Sequence, residues 1–279
     1  MGVVTAGLLA FVATRAARAA LAARTGPDQP RWTRTNHRGS SISLLEGPAV
    51  AAGLALGAAA GGAPRAAVAG VVATAGGAAF GLVDDLSEDT SRQRKGLRGH
   101  LGALAHGELT TGGLKVLGIG MTSLVAAALA LPPPARRGAS VGRLAWVADV
   151  LTSGALIAAS ANLVNLLDLR PGRALKAGAL LAVPALLSGG AQAAAASLGA
   201  IGAALPGDLA ERDMLGDGGA NALGALLGTA AVLGYPRSVR YGLLAGAVAL
   251  TVASEKVSFS AVIARTPGLH DLDAWGRRG

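Results

Sequence analysis

The sequence predicts an all-α, polytopic integral membrane bundle of about nine transmembrane helices, with the N-terminus outside and the C-terminus cytoplasmic. Three observations carry the prediction: a composition poor in charge, a succession of apolar windows, and a one-sided distribution of cations. The 279 residues are 52% hydrophobic and only 15% charged, against about 25% charged in a typical soluble domain. The mean hydropathy is +0.49. Windows such as LLEGPAVAAGLALGAAAGG and GALIAASANLVNLL run nearly without charge, close to the roughly 20 residues needed to cross a hydrocarbon core.

The expected spans run over 2–22, 44–62, 65–83, 113–131, 144–166, 174–189, 191–207, 219–234 and 239–256. The first lacks a basic stretch before its apolar run, so it reads as a retained helix rather than a cleaved leader. Alanine and glycine dominate throughout, which suits close helix packing in lipid. The sixth and seventh spans are short and alanine-rich, divided by Gly189-Gly190. No internal repeat is evident, and the chain reads as one membrane domain over 1–279. There are no cysteines, which excludes disulfides and thiolate metal sites.

The loops on one side of the membrane cover about 24–43, 84–112, 167–176, 208–218 and the tail 257–279. With Arg15, Arg18 and Lys256 near the same helix ends, this side carries eighteen cations, against six on the other: Arg65, Arg136, Arg137, Arg143, Arg237 and Arg240. The positive-inside rule makes the first set cytoplasmic. The net charge of +9 is therefore mainly a topology signal, and no nucleic-acid partner is expected. It also favours anionic headgroups or a phosphate substrate.

Three carboxylate-bearing stretches follow the third, fifth and seventh spans: GLVDDLSED, NLVNLLDLR and MLGDGGAN. Nine spans with the N-terminus outside put all three at cytoplasmic helix ends. Singly, an aspartate at a membrane boundary is usually a solvated end residue. Together, ionisable groups embedded in asparagine and glycine on one membrane face point to a shared site. Oxygen donors without His or Cys suit Mg²⁺, which binds through one or two carboxylates plus water and substrate phosphate. Neighbouring cations, Lys95, Arg98, Lys115, Arg170, Arg173 and Lys176, are placed to clamp phosphate oxygens. Such a set suits phosphoryl transfer between a soluble nucleotide and a lipid phosphate. The four histidines, His37, His100, His106 and His270, lack metal-ligand spacing. Lys115 reads as a helix-end cation, Glu46 as interfacial, and the ERD of 211–213 as loop charge.

The ordered trio DD, NxxNxxD and GDxGxN, between these spans, resembles the polyprenyl-phosphate N-acetylhexosamine-1-phosphate transferases, the superfamily of MraY- and WecA-type enzymes. The resemblance covers roughly residues 30 to 235. It implies a ten-helix fold with a cytoplasmic Mg²⁺ site, and transfer of a sugar-1-phosphate from a UDP-sugar to undecaprenyl phosphate with release of UMP. That is a step of cell-envelope glycan synthesis in the plasma membrane. It implies that Asp84 and Asp85 are the paired catalytic aspartates, that Glu88 is the last acid of a DDxxD pattern, and that Lys95 is the substrate-binding lysine of the following loop. Asn162, Asn165 and Asp168 match the motif around nucleotide and metal, with Asp168 among the catalytic residues. Asp217 matches the metal-ligand aspartate, giving a metal set of Asp85, Asp168 and Asp217. Arg170, Arg173 and Lys176 stand where the donor is read and are expected to bind substrate.

The chain departs from the pattern in two places. The family continues NxxNxxDGxDGLA, whereas Asp168 is followed by LRPGRALK. The histidine-rich motif of the last cytoplasmic loop is absent, and the tail ARTPGLHDLDAWGRRG offers only His270. The expectations are a divergent active transferase, a degenerate relative that binds polyprenyl phosphate or regulates a partner, and, third, an ion-coupled transporter. Acids grouped at one face rather than at the midplane count against the last. Association as a homodimer stays open.

Overall fold

A computed structural model of the protein describes residues 2–26, 29–36, 38–60, 62–87, 111–133 and 140–277. Among them are eleven α-helices and one two-stranded hairpin. The helices are α1 (Gly2–Thr25), α2 (Glu46–Ala59), α3 (Pro64–Ser87), α4 (Thr111–Ala130), α5 (Ser140–Leu167) and α6 (Arg173–Ala185). They continue as α7 (Ala191–Leu209), α8 (Gly216–Gly234), α9 (Arg237–Ser254), α10 (Phe259–Arg265) and α11 (Pro267–Ala274).

Each expected span coincides with one of the helices α1 to α9. Their lengths, however, divide them. By length and composition α1, α3, α4 and α5 can cross a membrane, and a fifth span results if α9 and α10 are taken together. Helices α2 and α6, at 14 and 13 residues, fall short of the roughly 20 residues that a crossing needs. Hydropathy alone cannot separate such a buried core helix from a span, because both are apolar. The chain is thus an all-helical protein with four to five helices suited to a membrane.

Helix α8 is the centre. Its residues from Gly218 to Val232 are all buried, and it packs against α2, α3, α4, α5, α6 and α7. Small residues allow this. A Cβ placed on Gly77 of α3 would stand 2.7 Å from the Asn221 carbonyl oxygen of α8 and 2.9 Å from the Ala222 nitrogen. Gly81, one turn further, meets the backbone of Asp217 and Gly218 in the same way. Backbones therefore touch along the GxxxG stripe, and the C-terminal end of α3 is fixed beside the N-terminus of α8.

Helix α1 closes the bundle over α2 and α7, while α9 lies on α5. At one end of α5, Asp149 pairs with Arg240 at 2.9 Å and Arg237 at 3.0 Å. Arg240 also donates to Ser153 Oγ at 2.7 Å. A charge pair this buried holds α9 in register because neither partner can be left alone without a large desolvation cost.

The opposite end carries the hairpin β1 (Thr33–Thr35) and β2 (Ser41–Ser43), antiparallel with Arg34 opposite Ile42. Ser43 continues it by a parallel bridge to Asp213 in the α7–α8 connection. The Ser43 N–H donates to the Arg212 carbonyl at 3.0 Å and the Met214 N–H to the Ser43 carbonyl at 2.9 Å. The first loop is in this way stitched onto the loop that precedes Asp217.

Candidate functional site

Where these pieces meet there is a cavity of about 380 Å³. Its walls come from four stretches far apart in sequence, the last of them spanning the end of α7 and the start of α8. The hairpin supplies Arg34, Asn36 and Ile42; the end of α3 supplies Asp84 and Asp85; the α5–α6 turn supplies Asp168, Leu169, Arg170 and Pro171. The end of α7 and its loop supply Asp208, Glu211 and Asp213, and the start of α8 supplies Gly216 and Asp217. The four aspartates singled out by the three motifs therefore share one cavity.

Their individual settings differ. Both carboxylate oxygens of Asp85 are engaged: Oδ1 accepts the Asp217 N–H at 3.0 Å and Oδ2 the Gly218 N–H at 2.9 Å. These amides belong to the first turn of α8, which has no intrahelical acceptors for them. Asp85 is thus the cap of α8, supplied from another helix. The approach needs Gly216, whose φ is +61° and where a Cβ would lie 3.1 Å from Asp85 Oδ2. The Arg34 guanidinium donates to the Asp85 backbone carbonyl, tying the hairpin to the same point. Asp84 and Asp217 share the ammonium of Lys115, which donates to Asp84 Oδ2 at 3.2 Å and to Asp217 Oδ2. The Asp217 backbone carbonyl in turn accepts from Asn221 Nδ2 at 2.7 Å.

Asp168 follows the last residue of α5 and lines the cavity. Burial pushes its carboxyl well above the usual range, and the carboxylates of Asp208, Asp217 and Asp85 add to this; a hydrogen bond from the Gly216 amide opposes it. The raised value disposes it to hold a proton.

The expected metal set takes a different form. Asp85 accepts two backbone amides, and Asp217 Oδ2 accepts from Lys115. Among the described residues no three His, Asp or Glu side chains stand together in a way that could hold a metal ion by themselves. The donor set is nonetheless all hard oxygen, and fits the magnesium type of site, in which one or two carboxylates act with water and phosphate.

The expected substrate-binding residues separate as well. Arg170 lines the cavity. Asn162 donates instead to Thr251 Oγ1 of α9 at 3.1 Å, and the Asn165 carbonyl accepts the Asp168 N–H at 3.1 Å; neither lines the cavity. An i, i+3, i+6 series turns about 60° around the helix per step, enough to carry Asn162 to a neighbouring helix.

Arg173 and Lys176 are buried away from the cavity and hold the C-terminal tail. Arg173 makes a two-point pair with Asp273, Nε to Oδ1 at 2.8 Å and Nη2 to Oδ2 at 2.9 Å, and donates to Ser260 Oγ at 2.8 Å. Lys176 donates to the carbonyls of Leu272, Asp273 and Trp275 at 2.9, 2.6 and 3.0 Å. Arg277 returns from the tail to the Pro171 carbonyl at 2.8 Å and to Asp273 at 2.5 Å. Burial would raise the Asp273 carboxyl, but the hydrogen bonds from Arg173 and Arg277 outweigh it and hold the group below its ordinary value. The RPGR sequence is thus a clasp for the tail, turning at Gly172 with φ +71°. Glu88 and Lys95 lie outside the described residues, as do His37, His100 and His106; His270 is exposed on α11.

Asp208 went unread in the sequence, and Glu211 and Asp213, read there as loop charge, belong to the site as well. Asp208 is buried and accepts the Gly172 N–H at 3.1 Å, binding the RPGR turn to α7. Asp213 pairs with Arg18 of α1 at 2.9 and 2.5 Å, and Glu211 accepts from Asn36 Nδ2 at 2.7 Å. The available signal was an aspartate ending an otherwise uncharged run, in LPGDLAERD. Beyond Asp213 lies a second cavity of about 240 Å³, lined by Thr14, Arg15, Arg18, Glu46 and Arg212 among others. Glu46 is buried rather than interfacial, and its Oε1 has no hydrogen bond among the described residues. No protein-family model matches the chain, and no curated protein matches its sequence.

Proposed function

We propose that the protein transfers a sugar-1-phosphate from a UDP-sugar to a polyprenyl phosphate such as undecaprenyl phosphate, releasing UMP, at the cytoplasmic face of the plasma membrane. The reading includes a multi-pass topology of nine crossings with the N-terminus outside, and a place in cell-envelope glycan synthesis. One observation supports it above the others: Asp84, Asp85, Asp168 and Asp217, from three separate motifs, line one cavity at the end of the bundle.

In this reaction an oxygen of the lipid phosphate attacks the phosphorus that carries the sugar. The bridging P–O bond of the diphosphate breaks and UMP leaves with that oxygen. Asp168 takes a proton from a monoprotonated acceptor phosphate. Arg34 and Arg170, the two cations on the cavity wall, pair with the phosphate oxygens of the donor, as guanidinium forks do. Asp85 holds the first turn of α8 so that its amides keep their direction. Asp217, with water and the donor's phosphates, would hold Mg²⁺, which would neutralise diphosphate charge and assist departure of UMP.

The test uses purified protein, undecaprenyl phosphate and a panel of UDP-sugars with MgCl2, and measures UMP. Asp168→Asn and Asp217→Asn are each expected to lower UMP release by about two orders of magnitude or more. Loss of all release on chelation of Mg²⁺ is also expected. If no UDP-sugar yields UMP, or if Asp217→Asn keeps full activity, the catalytic reading fails. A second reading, a non-catalytic polyprenyl-phosphate-binding protein, draws on the Lys115 ammonium shared by Asp84 and Asp217. It predicts thermal stabilisation by the lipid phosphate with no UMP under any condition.

A further inference from the structure

We propose that the tail formed by α10 and α11 lies on the bilayer surface, its apolar side seated in the headgroup layer of the membrane that the bundle occupies. Helix α9 is apolar enough to form a span with α10, yet the two meet at 99° across a short break. With α9 a crossing helix, as in the topology proposed above, a helix turned from it by a right angle runs along the membrane plane. Ser258 marks the turn, its Oγ accepting the Ala261 N–H at 3.4 Å as the cap of α10.

The tail is too exposed to be an ordinary element of a packed bundle. Val262, Leu269, Leu272 and Trp275 are 43%, 48%, 40% and 65% exposed, and no residue of either helix is buried. At 100° per residue, Leu269 and Leu272 fall in one arc of α11 with His270 on the other side, and Trp275 follows directly after the helix. An amphipathic pair with a tryptophan at its edge is the composition of interfacial helices. The charge agrees: residues 256–279 hold four cations and two aspartates, and with Arg277 and Asp273 engaged in the clasp three cations stand against Asp271. The surface left over suits anionic headgroups.

The clasp gives this placement a consequence for the cavity. The same tail is bound through Arg173, Lys176 and Arg277 to the turn whose Leu169, Arg170 and Pro171 form a cavity wall. The lipid surface therefore holds the tail on one side and the tail holds the wall on the other.

The chain has no cysteine, so single-cysteine nitroxide labels report on one position each. Val262→Cys, Leu269→Cys and His270→Cys variants of the full chain are labelled in nanodiscs of phosphatidylcholine with and without phosphatidylglycerol. Collision with oxygen, which concentrates in lipid, is compared with collision with a water-soluble nickel chelate. Labels at 262 and 269 are expected to favour oxygen and the label at 270 to favour nickel, with the contrast increasing in phosphatidylglycerol. Equal nickel access at all three positions overturns the proposal. So does protection at 262 and 269 that appears only when two copies share a nanodisc, which would make the face a contact between copies. No enzymatic activity enters the readout, so the result stands apart from the transferase reading.

Discussion

Asp85→Ala tests whether this acid acts chiefly by holding α8. The substitution removes both acceptors of the Asp217 and Gly218 amides and brings no replacement. The Gly218 amide is buried, whereas Asp217 borders the cavity, so water replaces only part of what is lost. Hydrogen bonds to a charged acceptor contribute about 1.5–3 kcal/mol each, and a buried amide left without a partner costs about 1–3 kcal/mol. A lost helix cap alone costs about 0.5–2 kcal/mol. Some relaxation is available through rotation of the first turn, so the expected loss is about 2–4 kcal/mol. For a chain of this size that lowers the melting temperature by roughly 4–12 °C. The assay is thermal unfolding of purified protein in detergent, followed by intrinsic tryptophan emission, without substrate. A melting temperature within about 1 °C of the parent would refute the capping role. Asp85→Asn keeps one acceptor and presents an NH2 to the other amide, so it should fall between parent and Asp85→Ala.

Asp168→Asn should behave in the opposite sense. Burial and neighbouring acids raise the Asp168 carboxyl, so its ionised form opposes folding at neutral pH. The amide variant is expected to melt at or above the parent temperature while losing UMP release; a marked loss of stability would contradict this. The raised value also places the acidic limb of a pH–rate profile above the ordinary carboxylate range of about 4. A profile flat down to pH 4 would remove Asp168 as base. For the tail clasp the sign is reversed, because Asp273 is held below its ordinary value. Its contribution is fully present above a pH of about 4, the unfolded value, and is lost only as pH falls through the lower folded value. Protease resistance of the tail should therefore be constant between pH 7 and 5, whereas Arg173→Ala should expose the tail to cleavage at every pH. Finally, Gly77→Ala drives a methyl group against the Asn221 backbone and should cost about 1–3 kcal/mol through overpacking. Gly246→Ala, where nothing stands within 4 Å, should cost little, and thermal unfolding of the two variants compares them directly.

The helical bundle was legible in the sequence because apolar runs without charge leave few alternatives. What hydropathy missed was length: α2 and α6 are interrupted early, at a loop beside Gly62 and at the turn after Pro184. The meeting of Asp84, Asp85, Asp168 and Asp217 in one cavity was expected from a parity argument that counted nine crossings. Their roles were not. Nothing near Asp85 announces that its partners are amides 132 and 133 residues away. Arg173 and Lys176 resemble phosphate ligands by sequence position, but their partner is the tail about 100 residues later. Asp208 was passed over and Asp213 read as loop charge because no motif contains them, although both belong to the same cavity. Contacts between distant segments decide which of several similar charges faces a ligand, and spacing within one segment does not record them.

The enclosure of α8 bears on how the chain is assembled during synthesis. A segment surrounded by six other helices, and outside the set apolar enough to cross by its own composition, gains little from lipid on leaving the ribosome. It gains instead from contact with α2, α3, α4, α5, α6 and α7, all of which precede it in the chain. Insertion of α8 is then a docking event into a waiting scaffold, and the backbone-to-backbone seam at Gly77 and Gly81 is its receptor. The Asp85 cap of α8 forms with that docking, since Asp85 cannot meet the first turn of α8 before the helix arrives. Helix α9 and the tail that clasps the cavity wall follow later in the chain.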